Sequence, residues 1–89
     1  MRQAGNPFIP EPLGHRAYIG VYLYTTPGGD IQPRRIRWED GTEWDIDRII
    51  DVRPGVARKA GGAGMRYLVR IGRHERVLYL VDGKWFVEV

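Results

Sequence analysis

Apolar and polar positions alternate along most of this chain with a period of two, which sends successive side chains to opposite faces of a β-strand. Residues 17–25 place Ala17, Ile19, Val21 and Leu23 on one face and Tyr18, Gly20, Tyr22 and Tyr24 on the other. Residues 42–52 place Trp44, Ile46, Ile50 and Val52 in one row, which Arg48 interrupts. Residues 65–71 align Met65, Tyr67, Val69 and Ile71. Residues 31–38, 76–81 and 84–89 complete a set of six predicted strands. Turn chemistry separates them at Pro27-Gly28-Gly29-Asp30, Asp40-Gly41 and Asp82-Gly83. Residues 53–64 carry Pro54, Gly55, Gly61, Gly62 and Gly64, which disfavour a helix and read as a Gly-rich loop. Pro33 marks an edge within its strand. The expected fold is all-β: a single small barrel or strongly bent sheet of about six antiparallel strands, SH3-like or related. That domain spans residues 15–89. Residues 1–14, with Pro7, Pro10 and Pro12, read as an extended mobile N-terminal arm.

The hairpin around Asp40-Gly41 predicts its own register. Ile36 and Trp38 share a face with Trp44 and Ile46 only across an odd loop, such as three residues with Gly41 left-handed. That register sets Arg35 and Arg37 opposite Glu43 and Asp45, where each opposite-charge pair contributes about 0.2–1 kcal/mol. A two-residue loop would oppose Trp38 to Glu43 instead. The cluster Arg34, Arg35 and Arg37 therefore reads as a salt-bridge ladder with Glu43, Asp45 and Asp47 rather than as a binding patch.

Composition narrows the chemistry. The 89 residues are 43% hydrophobic and 28% charged, with net charge +3, as expected of one soluble globular domain. Cysteine is absent, which excludes disulfides, thiolate metal sites and a cysteine nucleophile. Serine is absent too, which excludes the serine hydrolases. His15 and His74 are too few for a histidine-rich metal site. The first 14 residues lack the apolar stretch of a secretory signal, and a cytoplasmic location is the expectation. Asp45, Asp47 and Asp51 lie close together, yet Arg35, Arg37 and Arg48 stand beside them. The expectation is a non-enzymatic chain with no cofactor and no metal.

Charge is unevenly spread. Residues 1–52 carry six basic and eight acidic side chains, whereas residues 53–89 carry eight basic and three acidic ones. Between residues 53 and 76, Arg53, Arg58, Lys59, Arg66, Arg70, Arg73 and Arg76 face Glu75 alone. These seven are the candidate nucleic-acid-binding residues. With Met65, Tyr67, Val69 and Ile71 in the core, Arg66, Leu68 and Arg70 point outward. Placing Val77, Tyr79 and Val81 inward adds Arg76, Leu78 and Leu80 to that outer face. The glycines between Lys59 and Met65 admit close approach of an anion to backbone N–H groups, without the sequence of a Walker or dinucleotide loop. Tyr18, Tyr22 and Tyr24 form either a base-stacking platform or an apolar layer covered by the arm through Phe8 and Ile9.

Several strings carry a resemblance: Trp38-Glu39-Asp40-Gly41, Ile46-Asp47-Arg48, Asp51-Val52-Arg53, residues 59–67, and Trp85-Phe86-Val87-Glu88. Together they resemble a group of short bacterial proteins with no assigned activity, over residues 17–88. The resemblance implies a bacterial stand-alone domain and transfers no catalytic or binding residue. The functional expectation is a small module that binds nucleic acid through the basic loop and adjacent strand face. The alternative is a protein–protein interaction module, or one that self-associates through Leu68, Leu78 and Leu80. No membrane partner is expected.

Overall fold

The computed structural model describes residues 6–8, 15–56 and 63–89, apart from the side chains of Val56 and Ala63. Arg58 and Lys59, with the middle of the predicted loop, lie outside the described residues, as does most of the predicted arm. The described chain is all-β. Its strands are β1 (Arg16–Tyr18), β2 (Gly20–Thr25), β3 (Ile31–Arg37), β4 (Glu43–Asp45), β5 (Arg48–Val56), β6 (Ala63–Ile71), β7 (His74–Val81) and β8 (Lys84–Glu88). They form two antiparallel sheets, one of order β1-β8-β7-β6-β5 and one of order β2-β3-β4.

Six expected segments become eight strands because two of them change sheets midway. Residues 17–25 leave the larger sheet at Ile19, whose N–H still bonds the Trp85 carbonyl at 3.0 Å, and enter the smaller one as β2. Residues 43–56 cross at Ile46-Asp47. The Ile46 N–H bonds the Arg34 carbonyl of one sheet and the Asp47 N–H bonds the Arg70 carbonyl of the other, both at 2.9 Å. This crossing, with a bulge between Ile49 and Asp51, also breaks the expected row of Trp44, Ile46, Ile50 and Val52. In β5 the positions opposite core residues are Ile49, facing Val69, and Val52, facing Tyr67. Arg48 therefore interrupts nothing, because it lies on the other face.

The inner faces pack on each other through Ile36, Ile46, Tyr67, Val69, Ile71, Leu78, Trp85 and Val87. Phe8 joins this core at 4% exposure, with its ring edge-on to Trp38 at 5.5 Å. It does not cover the tyrosine face: Tyr18, Tyr22 and Tyr24 remain about half exposed.

The orientation expected for residues 76–81 is reversed. The Gly72-Arg73 turn sets Ile71 opposite His74, so Tyr67 meets Leu78 and Met65 meets Leu80. Leu78 is fully buried and Leu80 packs on the same core. The Asp82-Gly83 turn, with φ of 53° and 77°, has the two left-handed residues of a type I′ hairpin. It aligns Trp85 with Leu80 and Phe86 with Tyr79. Tyr79, Val81 and Phe86 form a second apolar cluster on the opposite face of the sheet. There Tyr79 and Phe86 stack at 5.4 Å and the Arg16 guanidinium lies 4.4 Å over the Phe86 ring.

The predicted loop is also shorter than its glycine content suggested. Arg53–Val56 belong to β5, and Gly55 pairs with Gly64. A Cβ on Gly64 would collide with the Leu80 carbonyl and the Val81 side chain, so this glycine serves strand packing rather than flexibility.

The reversed orientation has a direct test in urea denaturation. Leu78→Ala should cost about 2–5 kcal/mol, as a buried leucine does. A loss under about 0.5 kcal/mol, the surface value, would place Leu78 outside.

Candidate polyanion-binding face

Two exposed faces carry arginine clusters, and the ladder geometry separates them. On the smaller sheet, the three-residue loop 39–41 closes with the Trp38 N–H on the Thr42 carbonyl at 2.7 Å and Gly41 at φ 91°. Arg35 then opposes Asp45, Ile36 opposes Trp44 and Arg37 opposes Glu43, the register that face parity requires. Arg35 bridges Glu43 at 3.0 Å and Asp45 at 2.9 Å. The Tyr22 hydroxyl donates to Glu43 Oε2 at 2.6 Å. That hydrogen bond, then the one from Arg35, holds the Glu43 carboxyl below its ordinary range. Arg34 sits at a bulge, with its guanidinium 5.3 Å from the Tyr24 ring centre. Asp47 is not part of this ladder; its carboxylate accepts from the Gly72 N–H at 2.7 Å. Arg35 and Arg37 are thus largely answered by acids on the adjoining strand.

The outer face of β5 and β6 differs. Register sets Arg48 opposite Arg70 and Arg53 opposite Arg66, with Asp51 and Leu68 between. Like charges directly opposite each other destabilise a sheet. Asp51 takes Arg53 at 2.7 Å and Glu75 takes Arg70 at 3.2 Å. Arg48 and Arg66 have no ion pair among the described residues. Gly55 lets the Arg66 stem lie flat on β5, since a Cβ there would sit 2.9 Å from Arg66 Cβ. Along β6, Arg66 and Arg70 are four residues apart, about 13 Å in extended chain. The result is a cationic stripe two strands wide.

Of the seven predicted residues, Arg53, Arg66 and Arg70 come together here. Arg73 lies exposed in the β6–β7 turn. Arg76 is elsewhere: it opposes core residue Val69, and its Nε donates to the Pro7 carbonyl at 3.0 Å. Its remaining nitrogens meet the Glu75 carbonyl and the His74 ring, so it fastens the N-terminal segment rather than extending the stripe. Arg48 was missed. Its signal was being the one charge in an otherwise apolar row.

The three neighbouring aspartates do not converge: Asp45 turns to Arg35, Asp47 to Gly72 and Asp51 to Arg53. Among the described residues no group of three acidic or histidine side chains is placed to hold a metal ion.

Glu43 supplies a pH test. A carboxyl depressed by folding stabilises above its unfolded value, near 4.3, and that contribution disappears as pH falls through the folded value. Glu43→Gln should therefore lower Tm at pH 7, and the gap to the parent should close in acid. An unchanged gap would mean that the charge of Glu43 is not what matters. Searches for similar proteins found no matching family model, curated protein or solved structure.

Proposed function

We propose that this chain is a small β-module that binds nucleic acid through the outer face of β5 and β6, without catalysing a reaction. The observation that carries this reading is the pair of Arg–Arg oppositions, Arg48 with Arg70 and Arg53 with Arg66. Each has an unfavourable term in the folded protein that a polyanion would relieve. Arginine suits the task, because its planar fork contacts phosphate through two N–H groups at once. Arg73 extends the stripe at the turn, and Arg58 and Lys59 belong to the same hairpin in sequence.

The fold reading that accompanies this is a small barrel. Traced through the sheet changes at Ile19 and Ile46-Asp47, the six bent segments follow one another as neighbours, and the sixth returns to the first through the β1–β8 ladder. Self-association through Leu68, Leu78 and Leu80 has less support, because Leu78 and Leu80 belong to the core.

Fluorescence polarisation with short DNA and RNA strands at several salt concentrations tests the proposal. Binding should weaken linearly in log–log form. Arg53→Gln with Arg66→Gln should reduce the slope by about 1.4–1.8, the share of two phosphate contacts. Arg34→Gln with Arg37→Gln, an equal charge change on the other face, should leave the slope unchanged. No binding at low salt, or equal effects of both pairs, would overturn the assignment.

A further inference from the structure

The two sheets do not cover each other everywhere. β4 pairs only with Arg35–Arg37 of β3, so the first residues of β3 are separated from β5 by a gap. The gap opens into a cleft of about 640 Å³, within the roughly 300–1,000 Å³ of small-molecule sites. Ile31, Ile49, Val52, Met65 and Leu80 supply its apolar lining. Two of the polar side chains that line it are the exposed Asp30 and the largely buried Tyr67. Tyr67 is only 4% exposed and packs on Trp85, and its hydroxyl, which is not sealed from solvent, has no hydrogen bond among the described residues. Asp30 bonds Thr26 through its backbone alone, and its carboxylate has no ion pair there either. Among the described residues, no lysine or arginine lines the cleft.

We propose that this cleft binds a small apolar molecule carrying a protonated amine, with Asp30 meeting the amine and the aliphatic lining holding the body. Charge complementarity selects this class. Among the described lining residues an anion would meet Asp30 with no cation beside it, and a purely apolar guest would leave the carboxylate without a partner. Burial first, and then the Asp30 charge, push the Tyr67 phenol above its ordinary range. Tyr67 therefore stays neutral and serves as donor or acceptor to the same head group. The site lies on the inner face of β5 and β6 and does not depend on the arginine stripe outside.

The test is a 1H–15N correlation titration of the full chain with phenethylamine, 2-phenylethanol and phenylacetate. Phenethylamine should give saturable shifts at Asp30, Ile31, Gln32, Val52 and Tyr67, with phenylacetate giving none. Asp30→Asn should weaken phenethylamine about tenfold, an ion-pair-sized effect of about 1.4 kcal/mol, and leave 2-phenylethanol unchanged. Val52→Trp should block phenethylamine and 2-phenylethanol while the spectrum stays dispersed, which separates a filled cleft from an unfolded chain. Equal affinity for all three probes, shifts confined to other residues, or no shift would overturn the proposal. Shifts at the cleft that follow protein concentration without any probe would also overturn it, since a second copy would then be the occupant.

Discussion

Within two residues, Ile46 and Asp47, the backbone donates one hydrogen bond to each sheet, and the arrangement of the molecule depends on that exchange. The Ile46 N–H reaches the Arg34 carbonyl and the Asp47 N–H reaches the Arg70 carbonyl, both at 2.9 Å. The Ile46 side chain enters the core, while the Asp47 carboxylate caps the Gly72 N–H at 2.7 Å. Both N–H groups of the bend are thereby satisfied, as buried backbone donors at a corner between packed sheets require. A matching bend at Ile19 turns the other edge. With no disulfide to hold so short a chain, the apolar faces thus joined must supply the stability.

The same geometry divides the charge. On the smaller sheet, β3 and β4 bring arginines and acids into register, and Tyr22 adds a hydroxyl to Glu43. On the larger sheet, β5 and β6 bring arginine against arginine. Arginine content alone does not distinguish these two outcomes, because each segment is rich in arginine. Pairing partners decide it. The cleft arises from the same architecture: β4 pairs only with Arg35–Arg37, so the first residues of β3 have no strand beside them on that side, and the inner lining meets solvent beside Asp30.

What could be read from the sequence follows from how many signals agreed. In the 39–41 hairpin, loop length, Gly41 and the alternation of Arg35, Ile36 and Arg37 all require one register, and the structure has it. In β7 the alternation was uninformative, because Val77, Tyr79 and Val81 are as apolar as Leu78 and Leu80. Both faces of that strand are covered, one by the core and one by Phe86. The two-residue turn at Gly72-Arg73 held the missing information, since it forces Leu78 opposite Tyr67. Arg76 was misplaced for the same reason. Phe8 carried no local signal, since its partner Trp38 is thirty residues away. The sheet changes are equally non-local: the sequence alternates through Ile46, and nothing in it marks where the neighbouring strand changes and the core row shifts to Ile49.

The proposed contact surface is the outer face of β5 and β6, where Arg53 and Arg70 are ion-paired and Arg48 and Arg66 have no ion pair among the described residues. Chemical-shift mapping with a single-stranded oligonucleotide at low salt tests it most directly. Perturbed amides and arginine side chains are expected at Arg48, Arg53, Arg66 and Arg70, with Arg35, Arg37 and Arg76 unaffected. Perturbations centred on the Arg35–Glu43 ladder or spread evenly over all arginines would contradict it.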